Sequence, residues 1–132
     1  MANTFFEIAS MDKFKLNEYL ITEFDYVIPR RIEYAEELKE AGELLIRITN
    51  ANSFLTNVLS TVSLSKRMYK RSYEACTRGS DEYREKKREF EDYVDKELIL
   101  QQKINALDGI RSTISRMITI KQEINKELNI AG

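Results

Sequence analysis

The stretch Lys66–Arg88, KRMYKRSYEACTRGSDEYREKKR, holds the clearest turn signal in the C-terminal two-thirds of the chain. Within it, TRGSD at Thr77–Asp81 is rich in turn-forming residues, and Gly79 can adopt backbone conformations that other residues avoid. Apolar residues recur at helical spacing on both sides of this turn. We therefore predict two long antiparallel helical arms that are joined at residues 77–81.

The first arm is expected to span residues 29–77. Its apolar residues, from Tyr34 to Cys76, recur at an average step close to 3.5, which is typical of helices that pack as coiled coils. Pro29 suits the first turn of a helix, where the missing N–H is not needed. The TNANS segment at residues 49–53 contains poor helix formers, so a bend or break is expected there.

The second arm is expected to span residues 82–130, with Asp81 as its cap. Its apolar stripe slips in phase near LILQQ, residues 98–102, and is most regular toward the C-terminus. Such a seam favours helix packing, within one protomer or between protomers, and a polar residue in it can set register or oligomeric state. We assign oligomerisation to the seam residues Leu107, Ile110, Ile114, Met117, Lys121, Ile124 and Leu128.

No segment alternates apolar and polar residues over a useful length, so we predict an all-α fold. A short helix over residues 12–22 precedes the arms, and EFDYVI at residues 23–28 is expected to be an extended link. Residues 1–132 then form a single helical domain with an N-terminal segment at residues 1–28. Its aromatic content favours docking over disorder. The sequence leaves open whether the segment docks on its own protomer or on a neighbouring one.

The composition excludes several functional classes. Histidine is absent, which removes the commonest general base, the commonest metal ligand and any Ser/His or Cys/His pair. The single cysteine, Cys76, excludes an internal disulfide and a cysteine-rich zinc site. Gly79 stands alone, so there is no glycine-rich phosphate loop. We expect a protein that is not an enzyme and has no metal or cofactor.

The N-terminus lacks the charged region and long apolar run of a secretory signal. The longest purely apolar runs are about three residues, whereas a membrane helix needs roughly 20. A lone cysteine fits a reducing compartment. These features predict a cytoplasmic protein without membrane association, located in the host cytoplasm if a phage encodes it.

Positive charge is concentrated in Lys66–Arg88, which we call the basic segment. It carries nine basic and four acidic side chains, a net +5. Residues 1–65 carry six basic and ten acidic side chains, a net −4, and residues 89–132 carry six and eight, a net −2. Clustered like charges repel unless an anion compensates them, and a row of phosphates is the obvious partner.

Tyrosines among these cations suit single-stranded nucleic acid, whose unstacked bases can stack on aromatic rings. The predicted contacts are Lys66, Arg67, Lys70, Arg71, Arg78, Arg84, Lys87, Arg88, Tyr69 and Tyr73. The alternative is a solvated hairpin tip in which Tyr69 and Tyr73 continue the apolar seam.

The segment MYKRSYEACTRGSDEY, Met68–Tyr83, resembles a motif of the phage recombination mediators typified by UvsY, in which a basic helix precedes a short glycine-containing loop and another long helical region. Upstream, RIEYAEELKEAGELL is similar to the helix before that motif, and downstream, ALDGIRSTISRMITIKQEI is similar to the C-terminal helix of the family. The resemblance covers most of residues 30–125. Lys70 takes the place of the motif lysine, and Ser72 stands at the arginine position.

The resemblance implies a non-enzymatic, ring-forming helical protein that binds single-stranded DNA. Such mediators also contact the phage recombinase and help it to replace the single-strand-binding protein. A rival interpretation is a helical coiled-coil structural, adaptor or inhibitor protein of a phage or mobile element, whose basic tip docks an acidic protein partner.

Overall fold

A computed structural model of the chain describes residues 4–131, and each regular element in that range is an α-helix. The elements are α1 (Phe5–Ala9), α2 (Lys13–Glu23), α3 (Ala35–Glu74) and α4 (Asp81–Ala131). The long helices α3 and α4 pack against each other through side chains on both sides of the turn. The all-α prediction, with a short N-terminal helix before two long helices, is confirmed. The N-terminal segment adds the five-residue α1, which the sequence did not predict.

The reversal between α3 and α4 is built on Gly79, whose φ of 84° lies in the left-handed region. Ser80 then caps α4, because its Oγ accepts a hydrogen bond from the Tyr83 N–H at 3.1 Å. The prediction that Asp81 is the cap is wrong. Asp81 is the first helical residue, where a carboxylate interacts favourably with the positive end of the helix dipole.

Two expected features of the first arm differ in the structure. Helix α3 begins at Ala35, six residues after Pro29, so Pro29 is not in its first turn. Residues 49–53 do not break the helix either, since α3 continues through them. The Thr49 hydroxyl donates to the Leu45 carbonyl at 2.8 Å, and Ile48 and Ala51 are buried. Burial on one face therefore outweighs the weak helix propensity of this stretch.

Contacts divide the chain into two compact units. The first contains the residues up to Asp25 together with Phe54–Ile104, and the second contains Tyr26–Ser53 together with the residues from Asn105 onward. Helices α1 and α2 belong to the first unit alone, whereas α3 and α4 contribute to both.

In the first unit, the N-terminal segment packs on the long helices of its own chain. The rings of Phe5 and Phe24 lie 5.2 and 6.4 Å from the ring of Phe54 on α3, measured between centroids. The fully buried or nearly buried core side chains come from all the layers: Ile8, Leu16, Leu20, Leu55, Val58, Val62 and Leu100. Burying each such side chain contributes about 1.5–3 kcal/mol, which is enough to hold two short helices in place.

Lys96 of α4 links this segment to the hairpin. It is only 3% exposed, and its Nζ donates to the Ala9 carbonyl at 3.1 Å. Asp92 Oδ2 lies 3.6 Å from the same nitrogen, and the Tyr93 ring centroid lies 4.3 Å away. Burial lowers the pKa of Lys96, although Asp92 opposes that shift. The ammonium thus pairs with a carbonyl that the end of α1 leaves unsatisfied.

Replacing Lys96 by methionine keeps most of the side-chain volume and removes the donor to Ala9. We expect amide hydrogen exchange in α1 and α2 to accelerate by about fivefold, since one buried hydrogen bond contributes roughly 1 kcal/mol. Lys15→Met, at an exposed position on α2, is the matched control. Unchanged exchange in Lys96→Met would show that apolar packing alone holds the segment.

In the second unit, part of the predicted oligomerisation seam lies in the core of the protomer. Leu107 and Ile114 are fully buried, and Ile110, Met117 and Lys121 are half-buried. Toward the C-terminus the same stripe opens to solvent, with Ile124 44% and Leu128 64% exposed. Of the seam residues, these last two are the most accessible to a neighbouring protomer.

The turn and the helix interior respond in opposite ways to alanine. Gly79→Ala should destabilise the protein by about 1–2 kcal/mol, because a Cβ disfavours the left-handed conformation. Gly109→Ala should stabilise it by about 0.5–1 kcal/mol, since Gly109 is helical and, apart from its own stretch of helix, nothing lies within 4 Å of the added Cβ. Urea unfolding of both variants measures the contrast, and equal effects would contradict it.

Candidate nucleic-acid interface

The ten predicted contacts all lie in the first unit, on the last turns of α3, in the turn, and on the first turns of α4. Six of the eight basic side chains are exposed and form no salt bridge with any residue in the described range 4–131: Arg67, Lys70, Arg71, Arg78, Lys87 and Arg88. These cations can accept an external anion without first losing an internal ion pair.

Three of the eight basic residues, including Lys87, contact other groups of the chain. Lys66 forms a salt bridge of 2.9 Å with Glu97 across the two long helices. Arg84 donates to the Gly79 carbonyl and to Asp81, each at 3.1 Å, and so stabilises the turn. The ammonium of Lys87 lies 5.8 Å from the ring centroid of Tyr83. An anion would have to compete for these three.

Glu97 is the carboxylate at the centre of this cross-helix contact. It accepts hydrogen bonds from Lys66 Nζ at 2.9 Å and from the Ser63 hydroxyl at 2.8 Å. Lys66 and Ser63 together hold the pKa of Glu97 below its ordinary value, despite some burial that acts in the opposite direction. The pair therefore favours the folded state whenever Glu97 is ionised.

The stability contribution of Glu97 should depend on pH. Because its pKa is lower in the folded chain, the contribution is fully present above the ordinary value of 4.5 and is lost as the pH falls through the folded value. We expect Glu97→Gln to reduce the free energy of unfolding by about 0.5–1 kcal/mol at pH 7, a figure that allows for solvent screening.

Urea unfolding of wild type and Glu97→Gln between pH 7 and pH 3 measures this difference, which should shrink at the acid end. Glu85→Gln removes an exposed carboxylate that forms no salt bridge in residues 4–131, and it controls for net charge. A difference that stays constant over this range would exclude the ionised pair as its source.

The two predicted stacking tyrosines are engaged by other rings. Tyr69 stacks on Tyr93 of α4, with centroids 5.2 Å apart and an interplanar angle of 20°. Tyr73 meets Tyr83 edge-on at 5.5 Å and Phe90 at 5.3 Å. All of these rings are half-buried, and burial raises the pKa of Tyr93. The geometry favours the alternative in which Tyr69 and Tyr73 belong to the seam.

Basic residues of the two long helices line two different clefts. Arg88 lines a cleft with Tyr69, Tyr93 and Lys96. Lys66 and Arg67 line a separate groove, which contains Leu59, Val94 and Leu98. The cations at this end of the hairpin therefore do not all line one cleft.

Sequence reasoning missed Tyr93, Lys96 and Glu97. A signal for two of them exists in the chain, because pairs across the hairpin share one midpoint. Tyr69–Tyr93 and Lys66–Glu97 are each centred on residue 81 or just after it. Folding the sequence about residue 81, at the C-terminal end of the predicted turn, brings the members of both pairs opposite each other. Lys96 has no such signal, since its partner is a backbone carbonyl in α1.

Comparison with protein-family models, with curated proteins and with solved structures finds no match to this chain. In the part of the chain that the structure describes, no group of three or more Cys, Asp and Glu side chains is arranged to hold a metal ion. Nor is any helix of residues 4–131 both long and apolar enough to cross a membrane. Function has to be inferred from the charge and geometry of the basic segment.

Proposed function

We propose that the protein is a non-enzymatic single-stranded-DNA-binding recombination mediator. The observation that supports this most is the set of exposed cations in the basic segment, of which six form no salt bridge within residues 4–131. They lie within a segment of net +5 in a chain whose net charge is −1. Holding these charges together without internal partners is costly unless solvent screens them or an anion pairs with them.

The contacts favour the phosphate backbone over the bases. Tyr69 and Tyr73 already pack against rings of α4 and are half-buried, so part of each ring surface is taken before a base could stack on it. Lysine and arginine contacts to phosphates carry no sequence information. Binding should therefore be insensitive to sequence and steeply dependent on salt.

The mediator role comes from the resemblance of Met68–Tyr83 to the UvsY-type motif, with Lys70 at the motif lysine. In a homo-oligomer such as a ring, the same six cations would recur on each protomer, and multivalent contacts would raise the affinity for a long strand. The exposed ends of the seam at Ile124 and Leu128 support self-association. The recombinase and the single-strand-binding protein are the partners that this role requires.

Lys70→Gln together with Arg71→Gln tests the DNA-binding proposal. We expect affinity for oligo(dT) at 50 mM salt to fall about tenfold. The slope of log K against log salt should drop by about 1.4, since each lost phosphate contact removes about 0.7. Fluorescence anisotropy over a salt series measures both quantities.

The matched control is Arg116→Gln with Lys126→Gln, which removes the same charge from exposed positions of α4 in the second unit. This variant should bind as tightly as wild type. If the wild-type protein does not bind oligo(dT) at low salt, the DNA-binding proposal is wrong.

A second candidate function is that of a structural, adaptor or inhibitor protein. The groove beside Lys66 supports it, because Leu59, Val94 and Leu98 offer an apolar surface that DNA phosphates would not use. Mass measurement in solution with and without an oligonucleotide separates the two, since an adaptor would ignore DNA.

A further inference from the structure

A groove of about 550 Å³ runs between α3 and α4 in the first unit, and we call it the Leu59–Leu98 groove. Its apolar side chains are Leu59, Val94 and Leu98, and the last of these is 59% exposed. Its charged side chains are Lys66, Arg67 and Glu97. An apolar strip between two helices is the surface against which a further helix packs.

The opposite side of the same helix pair already holds helices of this chain. Phe54, which contacts Phe5 and Phe24, lies five residues from Leu59 and therefore about 140° away around α3. Lys96, which binds the Ala9 carbonyl, lies two residues from both Val94 and Leu98 and is therefore about 160° from each of them around α4. The segment α1–α2 thus covers one side of the pair and leaves the groove side uncovered.

The charges beside the groove favour an acidic occupant. Glu97 is paired with Lys66 and Ser63, so its charge is compensated. Arg67, and Lys70 one turn further along α3, are exposed and form no salt bridge within residues 4–131. The groove leads into the basic segment, whose net charge of +5 repels a basic helix and attracts an acidic one.

We propose that the Leu59–Leu98 groove binds an acidic amphipathic helix of a partner protein. Leucine-like side chains of the partner pack on Leu59, Val94 and Leu98, and its carboxylates pair with Arg67 and Lys70. The lining on α3 runs from Leu59 to Arg67, which is about 12 Å along the helix. Two to three turns of a partner helix fill this length, so the contact is small and of micromolar, transient strength.

One consequence concerns DNA. Arg67 and Lys70 also belong to the cations assigned above to phosphate contacts. A partner helix in the groove therefore competes with single-stranded DNA for these two side chains. The groove itself does not require DNA binding, because its apolar contacts are independent of phosphate.

The test uses three fluorescent 18-residue peptides and the full chain. The first places leucines on one helical face and glutamates on the other, the second replaces the glutamates by lysines, and the third scrambles the first. We expect micromolar binding of the acidic amphipathic peptide by anisotropy, and at least tenfold weaker binding of the other two.

Leu98→Gln should weaken binding of the acidic peptide at least fivefold and leave oligo(dT) binding unchanged. The matched control is Leu64→Gln, since Leu64 is 60% exposed but lies about 140° around α3 from Leu59. This control should bind the peptide as wild type does. Lys70→Gln should weaken binding of both the acidic peptide and oligo(dT).

Equal binding of the scrambled and acidic amphipathic peptides would overturn the proposal, as would equal effects of Leu98→Gln and Leu64→Gln. A wild-type dimer that Leu98→Gln dissociates in sedimentation equilibrium, with no peptide binding, would assign the groove to a second copy instead. Peptide binding without oligo(dT) binding would support the groove while rejecting the DNA-binding function, so the two proposals fail separately.

Discussion

The register between α3 and α4 is the constraint on which the first unit depends. Gly79 adopts a left-handed conformation, Ser80 caps α4, and the two helices then run side by side from a fixed starting point. The stacked Tyr69–Tyr93 rings and the Lys66–Glu97 salt bridge share the midpoint that this turn sets. Inserting or deleting one residue in the turn would rotate each later side chain of α4 by about 100° and separate these pairs.

The two sides of the helix pair differ in whether other helices of the chain cover them. One side receives α1 and α2, which are held by the phenylalanines around Phe54 and by the buried ammonium of Lys96. The other side keeps the apolar strip of Leu59, Val94 and Leu98 uncovered. Within residues 4–131, α1 and α2 are the only helices that this unit contains beyond the long pair.

The same register determines which basic side chains form contacts within the hairpin and which remain open to a ligand. Lys66 forms a salt bridge with Glu97, and Arg84 donates to the Gly79 carbonyl in the turn. Both side chains therefore stabilise the hairpin, and a ligand would have to compete for them. Arg67, Lys70 and the other exposed cations form no salt bridge within the described chain. Affinity for an anion should depend mainly on these cations. Because Tyr69 and Tyr73 pack against rings of α4, the proposed DNA contacts are to phosphates and not to bases.

The sequence by itself determined the all-α class, the turn at Gly79 and the concentration of charge around it, because periodicity, turn chemistry and net charge are local properties. It did not reveal that α3 continues through residues 49–53, since burial of Ile48 and Ala51 outweighs local propensity there. Only the tertiary structure decided that Leu107 and Ile114 lie in the core of the protomer, that Lys96 binds the Ala9 carbonyl, and that Arg67 and Arg88 line different clefts. Each of these depends on contacts between residues far apart in the chain, and a one-dimensional pattern does not specify which faces meet.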